Sequence, residues 1–141
     1  MSDKIVKNLN FGDQAKEKIF NGIDKLTKAV SSTLGASGKC VILEDQDGKP
    51  IITKDGVTVA NSIVLFDAVE NMGATLLKEA ARKTVEEAGD GTTTATVLSQ
   101  ALYSEGLKMI AAGYSATELQ KGIAIGTEFV MNALKESAVD V

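Results

Sequence analysis

Residues 88–98, "AGDGTTTATVL", set a carboxylate between two glycines, follow it with three threonines and then turn apolar. The start of a helix leaves backbone N–H groups unpaired and carries partial positive charge. Gly91 to Thr94 can therefore surround an anion such as phosphate, with threonine hydroxyls as further donors. Asp90 would repel that phosphate unless a divalent cation stood between them, and magnesium is commonly held by one or two carboxylates together with phosphate oxygens. The competing account makes Asp90 an N-cap and the threonines local side-chain to backbone bonders. On this motif alone the two accounts stand level.

Two further glycine loops carry polar neighbours. "TLGASGK", residues 33–39, is not a Walker A loop: the spacing is short, Cys40 stands where Ser or Thr belongs, and the order is helix, loop, strand. Taken alone it reads as a glycine turn at a helix C-terminus. "TKDGVTVA", residues 53–60, is a third small loop, and its Lys54 and Asp55 fit a solvated turn. Three such loops on one small domain favour a nucleotide more than any one of them does.

The elements that must position these loops are mainly helical. Apolar residues at Ala15, Ile19, Ile23, Leu26 and Val30 make one helical stripe, with Asp13 as its expected cap and a short extended stretch before it around Ile5 to Leu9. Gly35 and Gly38 end that helix. Cys40 to Leu43 then reads as a strand, Asp47-Gly48 as a turn and Ile51 to Thr53 as the return strand of a hairpin too small to stand unaided. "DAVE", from Asp67, is a capping box for a helix whose face is Val69, Met72, Leu76, Ala80 and Ala88, stopped by Gly89. A second helix runs from after Asp90 to about Ala112, with Gly113 as C-cap. "SATE", from Ser115, opens another with a stripe at Leu119, Ile123, Gly126, Val130 and Leu134. Gly122 and Gly126 lie one turn apart and suggest close packing between helices.

Composition removes several classes of function. The 141 residues are 44% hydrophobic and 24% charged, which fits a soluble domain with one core. There is no His, so imidazole catalysis and imidazole metal ligation are excluded within this sequence. The single Cys40 reads as a small core residue, and a reducing, cytoplasmic setting follows from the lack of cysteine pairs. A net charge of −4 with signs interspersed argues against nucleic acid. The longest uncharged stretch, Gly91 to Ser104, is too short and polar to span a membrane, and the first residues lack the apolar run of a signal peptide.

"TLGASGKCVIL", "ITKDGVTVA", "ENMGATLLKEAARKT", "AGDGTTTATVL" and "EGLKMIAAG" resemble successive segments of a group I chaperonin of the bacterial GroEL type, in order and with that family's spacing. The resemblance implies the N-terminal half of an equatorial ATP-binding domain over residues 1–136, a mainly α helical bundle with a small β-hairpin that pairs with a neighbouring subunit of a ring. Residues 137–141 would begin the crossing into an intermediate domain.

Carried over position by position, the resemblance implies that Thr33, Leu34, Gly35 and Ala36 border the nucleotide and that Lys54, Asp55 and Gly56 lie near its phosphates. Asp90 matches a magnesium ligand, and Gly91, Thr92, Thr93 and Thr94 match the phosphate-binding turn. Thr33 and the Lys54 backbone carbonyl resemble potassium-binding positions, while Asp55 resembles a carboxylate that helps position attacking water. Ala36 departs from the family, which has proline there, and loss of the fixed φ should loosen the loop modestly. ATP, magnesium and potassium are the ligands so implied. Turnover is expected of a complete polypeptide; the hydrolytic aspartate of the intermediate domain and the surfaces for unfolded proteins and a cochaperonin lie in segments this sequence does not contain. The alternative is a non-catalytic module that joins or blocks chaperonin rings.

Overall fold

The computed structural model describes residues 9–45 and 47–139, so the expected extended opening lies, up to residue 8, outside the described residues, as do residues 140 and 141. In chain order the elements are α1 (Gly12–Ser31), β1 (Val41–Glu44), β2 (Pro50–Thr53), α2 (Gly56–Ser62), α3 (Ala68–Ala88), α4 (Thr92–Ala111) and α5 (Ala116–Ser137). They fall into two compact units, Met1–Ala101 and Leu102–Val141.

The first unit is organised by α1 lying along α3. Their backbones touch: a Cβ added at Gly22 would sit 1.8 Å from the Glu70 carbonyl oxygen, and one at Gly73 would sit 2.2 Å from that of Ile19. Leu26 and Val30 of α1, Val59 of α2, and Ala74, Leu77 and Ala81 of α3 form the buried core. The α3 stripe expected at Met72 and Leu76 is not the buried one, since those residues are 58% and 57% exposed. Close approach selects small side chains at Gly73 and Ala74, so size rather than hydropathy marks the contact face. Ion pairs flank the crossing, Lys18 to Asp67 and Lys25 to Glu70, both at 2.6 Å. Asp67 caps α3 by accepting from the Val69 and Glu70 amides, but the Glu70 carboxylate turns to Lys25, so only half of the expected capping box forms.

Asp13 does not cap α1. It lies inside the first turn and pairs with Lys16 at 3.2 Å, and Phe11 precedes the helix without a side-chain cap. A further difference is α2, which was expected as loop: seven residues are too few to show a helical period, but Asp55 caps them. Cys40 is exposed, because it stands on the connection before β1 and not in the core. The hairpin forms as expected, antiparallel, with Ile42 opposite Ile52 and Gly48 at φ +78° in the turn. Ile42 and Ile52 are 71% and 69% exposed.

In the second unit Gly113, at φ +100°, closes α4: its amide bonds the Ile110 carbonyl, and the Tyr114 amide bonds that of Met109. Ser115 and Glu118 form a complete capping box for α5. No residue of α5 is buried. The close packing expected at Gly122 and Gly126 is not realised among the described residues: a Cβ added at either meets nothing within 4 Å.

Candidate functional site

Each of the three glycine loops ends or starts a helix, and the first unit's packing brings them to one place. After α1 the chain turns tightly, with Thr33 and Leu34 amides on the Val30 and Ser31 carbonyls and Gly35 at φ +76°. The α2 start follows β2 directly. The α4 start follows Gly89, which ends α3 in the left-handed conformation at φ +75°.

Together they line an open cavity of about 320 Å³. Thr33, Leu34 and Gly35 come from the first loop, Lys54, Asp55, Gly56 and Val57 from the second, and Asp90 to Thr94 from the third. Of the residues singled out in the sequence, only Ala36 is absent from this lining; it is exposed beyond the turn. Val57 is an addition, missed because α2 was not foreseen. The loops meet at buried Gly56, where a Cβ would lie 2.2 Å from the Thr93 hydroxyl oxygen and 3.4 Å from that of Thr33. A side chain there would push the second loop off the third.

The start of α4 bears on the rival accounts of Asp90. Gly91 is the capping position, since its carbonyl accepts the first helical bond, from the Ala95 amide at 2.8 Å. Asp90 accepts from the Gly91 amide at 2.6 Å, and among the described residues it accepts from none of the Thr92, Thr93 and Thr94 amides. Nor do the Thr93 and Thr94 hydroxyls donate to the backbone among the described residues, unlike Thr96, which donates to the Thr92 carbonyl at 2.8 Å. Three amides and two hydroxyls thus remain at the rim of the cavity. Local bonding among the described residues accounts for none of them, which leaves them open to water or to an anion.

Asp55 is placed differently. Its carboxylate accepts from the Val57 amide at 3.2 Å, the Thr58 amide at 2.9 Å and the Thr58 hydroxyl at 2.5 Å. Chiefly the Thr58 hydroxyl, then the Thr58 and Val57 amides, hold this carboxyl below its ordinary range against the opposing effect of burial. A carboxylate so held is a poor proton acceptor and a good hydrogen-bond acceptor. It suits orientation of a water molecule better than deprotonation of one.

Among the described residues no cluster of three or more His, Cys, Asp or Glu forms a metal cage. Asp55 and Asp90 are the carboxylates of the cavity, a donor set that fits magnesium only when phosphate oxygens and water complete the shell. The Thr33 hydroxyl and Lys54 carbonyl are neutral oxygens, of the kind potassium takes.

The chain matches the TCP-1/cpn60 chaperonin family over residues 26–141, and it belongs to that family. It is 50% identical over 137 residues to Chaperonin GroEL 1 of Corynebacterium diphtheriae, covering 97% of this chain and 25% of that protein. It is also 48% identical over 135 residues to Heat shock protein 60 of Emericella nidulans, covering 96% and 23%. Among solved structures, a group III chaperonin in the open state superposes with a TM-score of 0.76 at 30% identity, over 91% of this chain and 25% of that one. The chaperonin gp146 from the bacteriophage EL 2 (Pseudomonas aeruginosa), solved in the presence of ATP-BeFx, gives 0.75 at 32% identity, over 92% and 22%. The fold is thus mainly α, that of a chaperonin equatorial domain, and the chain spans about a quarter of the relatives it matches.

Proposed function

We propose that this chain carries the phosphate-binding wall of an ATP-hydrolysing chaperonin subunit that works in the cytoplasm, taking ATP with magnesium and potassium in the cavity between the three loops. The observation that carries this reading is the convergence: Thr33 to Gly35, Lys54 to Gly56 and Asp90 to Thr94 are far apart in sequence and line one cavity. In this reading the Thr92, Thr93 and Thr94 amides bind phosphate oxygens, and the hydroxyls of Thr93 and Thr94 add donors. Lys54 adds positive charge to the same rim. Magnesium, when bound through Asp90, would neutralise phosphate charge where it develops. Asp55 accepts a hydrogen bond from water and orients it toward the terminal phosphorus.

Asp90→Asn in the complete polypeptide tests this. It should abolish the magnesium-dependent part of ATP affinity and lower turnover more than about 100-fold, about 2.7 kcal/mol of barrier, with the helical circular dichroism unchanged. Turnover kept within about tenfold, roughly 1.4 kcal/mol, would remove Asp90 from metal binding.

The proposal includes assembly of the subunit into a ring with its neighbours, and the hairpin supports that part. Its two strands pair only with each other among the described residues, so the outer edges of β1 and β2 offer backbone donors and acceptors to strands of a neighbouring subunit.

A further inference from the structure

A second cavity, of about 210 Å³, shares Val57 and Thr92 with the first and is lined in addition by Ala60 and Asn61 of α2 and by Lys78 and Arg82 of α3. Arg82 is occupied by Glu79 and Glu86, at 3.1 and 3.4 Å. Lys78 makes no ion pair among the described residues; its ammonium donates instead to the backbone carbonyl of Ile63, the C-cap of α2. Partial burial lowers its pKa from the ordinary lysine value, a desolvation that no carboxylate offsets.

The partner of that ammonium explains why the arrangement persists. A helix of seven residues does not hold itself, since nucleation costs more than so few hydrogen bonds return. Both ends of α2 are instead held by side chains: Asp55 caps the first turn, and Lys78 holds the carbonyl of Ile63, the extended residue that follows the last turn, where a cation also favours the helix dipole. Between them Val59 and Ala60 are buried and Gly56 is wedged against Thr93. Release of the C-terminal end would leave α2 free to turn about that wedge, carrying Asp55 with it.

We propose that Lys78 is a positioning residue: by holding the Ile63 carbonyl against α3, it fixes the orientation in which α2 presents Asp55 and Gly56 to the phosphate cavity. The clamp itself is a geometric claim; its effect on turnover rests on the ATP reading above.

Amide hydrogen exchange and ATPase kinetics on the complete polypeptide separate the two. In Lys78→Met, protection of the amides of Val57 to Ser62 should fall by about tenfold or more while those of α1 and α3 hold, and Lys78→Arg, which can still donate, should restore it. On the ATP reading, kcat should fall about tenfold in Lys78→Met with KM moved less than about threefold, because the contacts at Thr92 to Thr94 remain. If α2 keeps its protection, or if α1 and α3 lose theirs equally, the clamp is overturned. If α2 alone loosens while kcat is unchanged, the clamp stands and the role given to Asp55 in turnover falls. Should Lys78→Met fail to fold, Lys78→Ala, which has no side-chain donor and keeps helix propensity, carries the same expectations.

Discussion

Helices α1 and α5 are near twins in sequence terms: 20 and 22 residues, an apolar stripe on each, and glycines within the stripe or beside it. In the structure they differ completely. Gly22 of α1 is pressed against the backbone of α3, and Ile23, Leu26 and Val30 are buried beside it, whereas among the described residues a Cβ added at Gly122 or Gly126 of α5 meets nothing within 4 Å and Ile125 and Phe129 are 71% and 75% exposed. A helical stripe says that a helix can be covered, and a glycine says that it can be approached. Neither names the partner. The covered helix is the one that holds the candidate site, because its C-terminal turn supplies Thr33 to Gly35.

The largest predicted effect breaks the close contact itself. Gly22→Val or Gly73→Val places carbon atoms within the van der Waals radius of a carbonyl that cannot move without separating α1 from α3, so each should cost at least about 3 kcal/mol, the upper range for overpacking. At Gly122 and Gly126 the same reasoning reverses sign. Alanine there should stabilise α5 by up to about 1 kcal/mol, since helix propensity is then the only factor. Urea unfolding of the four variants measures both. Equal responses in α1 and α5 would mean that α5 is covered as α1 is.

A smaller intramolecular effect is predicted at the hairpin, which shares the exposure of α5 but has edges to offer. Ile42→Lys with Ile52→Lys should change the stability of the isolated chain by no more than about 0.5 kcal/mol, as expected for exposed positions. The same pair should abolish ring assembly in the complete polypeptide, read by light scattering. Intact rings would exclude strand addition through this face.

The comparison also explains what could be read in advance. The hairpin, the glycine stops at Gly89 and Gly113 and the helix start at Ser115 were legible because each rests on a local rule: a positive φ or a cap bond satisfied within a few residues. The loop residues of the cavity were legible one loop at a time, since glycine, threonine and aspartate in such order have few other uses. Their convergence was not, and came only with the family resemblance, because it depends on how α1, α2 and α3 pack. The buried face of α3 was misread because a backbone contact is made by Gly73 and Ala74, which hydropathy passes over. Likewise α2 escaped notice, with Val57 and Lys78, because its stability comes from its two ends and not from a period.

The smallest effect concerns the electrostatic edge of the α1–α3 crossing. Asp67 is held below the ordinary carboxylate range, first by its hydrogen bond to Lys18 and then by the Glu70 and Val69 amides it caps; Lys18 is correspondingly raised, chiefly by Asp67. A depressed acid contributes stability above its unfolded pKa, about 3.9, and loses it as pH falls through the folded value. A raised lysine contributes below its unfolded pKa, about 10.4, and loses that as pH rises through the folded value. The pair therefore acts at full strength between roughly pH 4 and pH 10. Both groups are solvent-exposed, so the contribution is small and salt should weaken it further. A double-mutant cycle of Lys18→Met and Asp67→Asn, with asparagine keeping the cap, should show favourable coupling at pH 7. That coupling should shrink once the pH is taken below the folded pKa of Asp67, near the acid limit of folding. Coupling that does not depend on pH would mean that Lys18 stabilises the crossing by packing its alkyl stem along α3 and not by its charge.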